Sequence, residues 1–210
     1  MNMKKILQIV SQIIFLALFT VLVITGKIQL WMAVFAAGVI LSIFLGRLYC
    51  GWACPINTVM RAVSWIKRKL KIKSFKIPAF LKKARVRYAV LGLFIALFVF
   101  VMVSGKKLPV LPGLLVVGVF LTFFFPEALW HKYLCPYGTI FGLVSSKAKC
   151  SVNIDKDVCI NCGVCKKVCP AEAVENKNGQ YSINKKDCLA CMECERKCSV
   201  KAINYNAKNK

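Results

Sequence analysis

Acidic side chains are nearly missing from most of this chain. Only 8 Asp and Glu occur in 210 residues, and all of them lie at or after Glu127. Charge of either sign is sparse, at 19%, while 58% of the residues are hydrophobic. That balance excludes a disordered chain and is too apolar for an ordinary soluble domain. No nucleophile–base pair and no phosphate-cradling glycine loop of a known pattern is evident, which speaks against a hydrolase or a kinase.

The charge that is present is basic: 31 Lys and Arg give a formal net charge of +23. Residues 1–150 hold 20 Lys and Arg and one acid, whereas residues 151–210 hold 11 and 7. This change of character marks a boundary between two domains, 1–149 and 150–210. A basic excess can signal nucleic acid. Here the positive residues cluster at the ends of apolar runs, as membrane topology requires, so membrane lipid and not nucleic acid is the expected partner.

Four apolar runs have membrane-spanning character: Ile6 to Thr25, Ile28 to Leu45, Tyr88 to Ser104 and Val110 to Phe125. None contains an interior Asp, Glu, Lys or Arg. A helix needs about 20 residues, and at least about 17, to cross the hydrocarbon, so the last two runs borrow flanking residues. Lys4 and Lys5 resemble the start of a signal peptide. The run after them is long and lacks a small-residue cleavage site, so it reads as a retained anchor. The loop between the second and third runs, from Arg47 to Arg87, carries twelve positive charges and no acid, against Lys27, Lys106 and Lys107 on the other side. Positive charge stays inside. The N-terminus, the basic loop (61–87) and everything after residue 126 are therefore expected on the cytoplasmic face of the inner membrane. Trp65 to Arg87 alternates apolar and basic residues. It reads either as an amphipathic helix on anionic lipid or as a solvated linker.

Twelve cysteines stand out, and eight form a duplicated pattern. Cys159, Cys162, Cys165 and Cys169 follow C-x2-C-x2-C-x3-C with Pro170 next; Cys188, Cys191, Cys194 and Cys198 repeat it 29 residues later. Ile154 matches Ile183, Ala173 matches Ala202, and Val174 matches Ile203, so each half is expected to be a short strand, a cysteine loop and a helix. A [4Fe–4S] cube needs four thiolates, and a loop this tight supplies three corners while the fourth comes from the other half. One cluster is assigned to Cys159, Cys162, Cys165 and Cys198, the other to Cys188, Cys191, Cys194 and Cys169. Gly163 allows close backbone approach to the first. An oxidised cube with four thiolates carries about −2, which leaves the tail near neutral beside a positive membrane face that would steer an acidic redox partner. Zinc would not need the three-plus-one spacing, and disulfides are disfavoured in the cytoplasm. The block from about 150 to 206 resembles the bacterial two-cluster ferredoxins, which implies a small α+β fold. Cys150 fits no ligand pattern and reads as a free thiol at the domain junction.

The membrane half has its own repeat. Cys50-Gly-Trp-Ala-Cys54-Pro55 and His131-Lys-Tyr-Leu-Cys135-Pro136 align with an offset of 81, as do Thr58 and Thr139. Residues four apart share a helix face, so Cys50 and Cys54 would point the same way, with the proline loosening the turn. Cys50, Cys54, His131 and Cys135 thus form a candidate additional metal or cluster site. They also fit redox-active thiols, a contact to a quinone or a partner haem protein, or plain packing. Trp52, Trp130, Tyr133 and Tyr137 read as interface aromatics. Together with the double-ferredoxin block, these segments resemble the NapH-type membrane iron–sulfur proteins, in which both membrane motifs usually read Cys-x3-Cys-Pro. His131 departs from that pattern. The four apolar runs give a four-helix membrane domain; the resemblance implies a polytopic protein with two cytoplasmic [4Fe–4S] clusters and electron transfer from a quinol pool or cytoplasmic donors toward a redox partner protein. A maturation factor or a redox-sensing regulator are the rival classes, and neighbouring genes would tell them apart.

Overall fold

Hydrophobic runs free of charge become long helices. The computed structural model describes residues 3–104 and 110–207, so Gly105, Lys106 and Lys107 of the topology argument lie outside the described residues. Helix α1 spans Met3–Ile24; a short 3-10 turn at Ile28–Leu30 leads into α2, Trp31–Leu45. Helix α5 spans Ala84–Ser104, starting upstream of its apolar run, and α6 spans Val110–Phe124. Three spans, Met3–Ile24, Ile28–Leu45 and Ala84–Val101, are long and apolar enough to cross a bilayer; α6, with 15 residues, is shorter. Leu7, Ile13, Ile40, Leu93 and Phe100 are exposed along these helices. An apolar band of that extent needs lipid or protein cover, and water would disfavour it strongly.

The segment after each even-numbered helix turns back into the bundle. After α2 come α3, Leu48–Trp52, and α4, Pro55–Lys69; after α6 come a single π-helical turn, Leu129–Leu134, and α7, Pro136–Val144. Helix α4 packs on α1 and α6, and α7 packs on α5 and α2, so each returning helix crosses to the opposite half. Pro55 and Pro136 open α4 and α7. Proline suits that position, where its missing N–H is not needed. The expected single helix carrying Cys50 and Cys54 is therefore not formed: α3 ends at Trp52, and Cys54 is the extended residue capping α4. Nor does one amphipathic helix cover Trp65 to Arg87. Helix α4 ends at Lys69, an irregular stretch follows, and a 3-10 turn occupies Ala79–Lys82. Phe75 N–H donates to the Phe124 carbonyl at 2.8 Å, and Lys67 Nζ to that of Thr122 at 2.7 Å, tying this loop to the end of α6.

The tail has two halves of strand, loop, helix and a closing strand that the sequence pattern did not reveal. They are β1 (Cys150–Ile154), α8 (Val164–Val168) and β2 (Val174–Lys177), then β3 (Gln180–Ile183), α9 (Glu193–Lys197) and β4 (Ile203–Ala207). β1 pairs antiparallel with β4, and β2 with β3. Asn178 and Gly179 both have positive φ, as a two-residue hairpin turn requires. The duplication extends to the backbone: left-handed residues Asn161, Gly163 and Glu172 recur 29 positions on as Ala190, Met192 and Lys201.

Candidate redox centres

Helix α8 and helix α9 each follow a cysteine loop and turn its last cysteine inward. Cys169, from the first half, lines one cavity with Cys188, Cys191 and Cys194 from the second. Val152, Val174 and Ile183 close it. Burial pushes the Cys188 thiol up to about 12, with Cys191 and Cys169 adding to the effect. Cys194 rises too, by burial and then by Cys188, Cys191 and Cys169. Thiols held this high stay protonated until a bound cation displaces the proton into solvent. Ala173 N–H donates to Cys169 Sγ at 3.3 Å. In the other set, Cys159 and Cys162 lie within electrostatic reach of Cys165. Cys165 and Cys198 pack against the same core of Val152, Ala190, Met192 and Ile203.

Both loops carry non-glycine residues in the left-handed region, which costs roughly 1–2 kcal/mol apiece. Such turns point successive N–H groups into a concavity suited to anions and iron–sulfur clusters. The residues present therefore fit iron–sulfur clusters. Among the described residues, no three His, Cys, Asp or Glu side chains gather around one point at single-ion distance. Cys169, Cys188, Cys191 and Cys194 are spread over the walls of their cavity instead. All twelve cysteines are free thiols. Cys150 opens β1 opposite Ala207 and joins neither set.

The second loop is the inner one. A Cβ on Gly51 would stand 2.4 Å from the Leu189 carbonyl oxygen, and one on Gly142 2.6 Å from that of Lys186. Only glycine lets this backbone seat so closely on both halves of the membrane unit. Trp52 Nε1 donates to the Ala190 carbonyl at 3.1 Å, and Arg47 Nη1 to that of Lys186 at 2.8 Å. Arg87 pairs with Asp187 at 2.9 Å, Lys4 with Glu195 at 2.5 Å, and Arg61 with Glu193. Part of the basic face expected to steer an acidic partner is thus occupied by the tail's own acids. The first loop faces outward, with Val158, Ile160 and Cys162 exposed.

The membrane motif converges as well. Cys50, Cys54, His131 and Cys135 line one cavity between the returning segments, together with Arg47, Asn57, Trp130 and Tyr137. Cys54 N–H donates to the Tyr49 carbonyl and Cys135 N–H to that of Trp130, so the same five-residue turn precedes each proline. Gly138 N–H caps onto Cys135 Sγ at 3.2 Å, and Arg47 Nη2 donates to Cys50 Sγ at 3.9 Å. Burial, then the charges of Arg47 and Arg61, push the His131 imidazole down to about 3, leaving it neutral. Trp130 is buried, and Trp52 and Tyr137 are engaged inside, so these aromatics are not interface anchors. Arg47, Asn57 and Trp130 were missed as site residues. The only available signal was their proximity to a repeated motif.

The family described as "4Fe-4S binding domain" matches residues 28–73 and 108–153, one match for each half of the membrane unit. The family described as "4Fe-4S dicluster domain" matches residues 151–199. Among curated proteins, the ferredoxin-type protein NapH of Haemophilus influenzae is 31% identical over 61% of this chain and 49% of its own length. The methylamine utilization ferredoxin-type protein MauN of Methylobacillus flagellatus is 31% identical over 61% and 50%. The putative electron transport protein YccM of Escherichia coli is 27% identical over 70% and 47%. The chain thus spans about half the length of these relatives. No solved structure matches.

Proposed function

We propose that this chain, a NapH-type iron–sulfur protein, is a membrane electron-transfer component that passes single electrons between a membrane quinol, or a membrane-bound partner, and a soluble redox protein. The observation that carries this reading is the seating of the second cysteine loop on Gly51, Trp52 and Gly142 while the first loop faces outward. The tail then has an inner and an outer redox position. Cys188, Cys191, Cys194 and Cys169 would hold the inner cluster, and Cys159, Cys162, Cys165 and Cys198 the outer one. Bound there, each [4Fe–4S] cluster supplies a one-electron carrier. The chain's own part is ligation, exclusion of water at the inner site, and N–H donation to sulfur, as by Ala173 to Cys169.

Helix α6 completes four spans with α1, α2 and α5, and the basic loop keeps the tail, 150–210, on the cytoplasmic side of the membrane domain, 1–149. Val158 and Ile160 are exposed around Cys162, with Lys166 and Lys167 nearby, and this patch suits an acidic redox protein. A wide groove runs between the start of α1, α4 and the tail. Ile9, Trp65 and Phe125 line its membrane side, and Cys169 and Pro170 its tail side. We assign the quinol head group to it. The test is anaerobic addition of a reduced quinol analogue to the purified protein in detergent, read by bleaching of the visible absorbance and by EPR. Bleaching is expected. A protein that dithionite reduces but no quinol analogue does would exclude the quinol as donor.

A further inference from the structure

Nine buried side-chain nitrogen and oxygen atoms among the described residues have no hydrogen-bond partner. Five belong to residues lining the cavity between the two membrane halves: Arg47 Nε, Asn57 Nδ2 and Oδ1, Trp130 Nε1 and His131 Nε2. These residues are only 1–5% exposed. Buried polar groups in native interiors are satisfied by protein, water or a bound group. Their concentration at one place marks that place as a binding site.

The charge of the cavity says what kind of group it takes. Arg47 is 2% exposed and forms no ion pair among the described residues. A guanidinium so buried requires a negative charge in front of it. The N-termini of α4 and α7, at Cys54 and Cys135, add partial positive charge from two directions. The ligand is therefore anionic, and it meets three thiols and an imidazole.

We propose that Cys50, Cys54, Cys135 and His131 ligate a third iron–sulfur cluster, whose charge is balanced by Arg47. A cube with four thiolates carries about −2, so one with three thiolates and a neutral imidazole carries about −1, which a single arginine offsets. These four side chains line one cavity, as Cys169, Cys188, Cys191 and Cys194 do in the tail. Asn57 Nδ2 and Trp130 Nε1 are the donors for its sulfides. Cys50 shares one apolar cluster with Leu189 and Cys191, so the third site adjoins the inner tail site. This extends the electron-relay reading into the membrane half but does not depend on a quinol being the donor.

The test is iron and acid-labile sulfide per chain, with EPR, on the full-length protein purified anaerobically. The wild type should hold about 12 irons, three cubes of four. The Cys54→Ser/Cys135→Ser variant should hold about 8 with the tail signals intact, which also shows that it is folded. His131→Cys should keep about 12 irons with a lowered potential, because a thiolate replaces a neutral ligand. About 8 irons in both wild type and double variant overturns the proposal, as does one copper or zinc per chain that departs with the motif while iron stays at about 8. If the double variant does not accumulate, the wild-type count decides between about 12 and about 8. Cys162→Ser/Cys191→Ser separates this claim from the relay reading: iron lost there and not at the motif leaves the tail clusters standing without the third.

Discussion

Cys169→Ser decides whether the two halves of the tail exchange ligands. The three-plus-one spacing sends Cys169 to the cluster of Cys188, Cys191 and Cys194. In the structure it lines the cavity of Cys188, Cys191 and Cys194, and its charge is felt at all three. Exchange therefore places Cys169→Ser and Cys191→Ser at the same site. Each emptied site loses about 4 irons. The single variants should each lose about 4, and Cys169→Ser/Cys191→Ser should also lose only about 4, since the second substitution finds its site already empty. Cys162→Ser/Cys169→Ser should lose about 8. Iron, acid-labile sulfide and EPR of the reduced proteins read this directly. The opposite pattern, about 8 for Cys169→Ser/Cys191→Ser and about 4 for Cys162→Ser/Cys169→Ser, would show that each motif closes on itself and that the cavity has been misassigned.

Three further outcomes follow from the interface and the loops. Asp187→Asn leaves Arg87, at 2.9 Å, and Lys132, at 3.9 Å, without their buried acid. Breaking a buried pair costs about 3–5 kcal/mol, reduced here to about 2–3 by the partial exposure of both cations, and earlier proteolysis between α7 and β1 would report the loosened tail. Gly51→Ala drives a Cβ to within 2.4 Å of the Leu189 backbone oxygen, so the inner site should lose iron to a chelator faster than the outer one; equal rates would count against the seating. Lys201→Gly relieves an exposed left-handed residue at φ 53, so the temperature of iron loss should rise, for a gain of roughly 0.5–1 kcal/mol. An unchanged or lower temperature would mean the strain is not there.

The uncharged runs placed α1, α2 and α5 to within a few residues, because nothing but length and apolarity decides such helices. The cysteine spacing likewise exposed the tail's repeat. What stayed hidden is the return of each segment into the bundle. Trp130 and Tyr137 look like interface aromatics when the chain is assumed to leave the bilayer after α6. Arg47 looks like one more topology charge until the turn at Gly46 buries it. Cys50 and Cys54 share a helix face only if the helix continues, and Pro55 starts another one. The strands β2 and β4 were missed because four or five residues with half their side chains exposed carry little pattern, although Asn178-Gly179 was a legible turn.

Part of the uneven charge of the sequence is matched at the interface. Asp187, Glu193 and Glu195, three of the acids confined to the tail, meet Arg87, Arg61 and Lys4 from the membrane half. Arg61 and Arg87 of the basic loop, with Lys4, thus meet the tail's acids at one docking surface. Those cations come from α1, α4 and α5, so the tail is held by both halves of the membrane unit at once. The segment they flank, Lys186 to Cys191, is also the one that Gly51 and Gly142 admit closest. Charge pairing, glycine placement and the repeated Cys-Pro turns therefore converge on a single contact. That contact joins the inner cysteines of the tail to the cysteine cavity of the membrane half, which is where an electron path between the two would have to run.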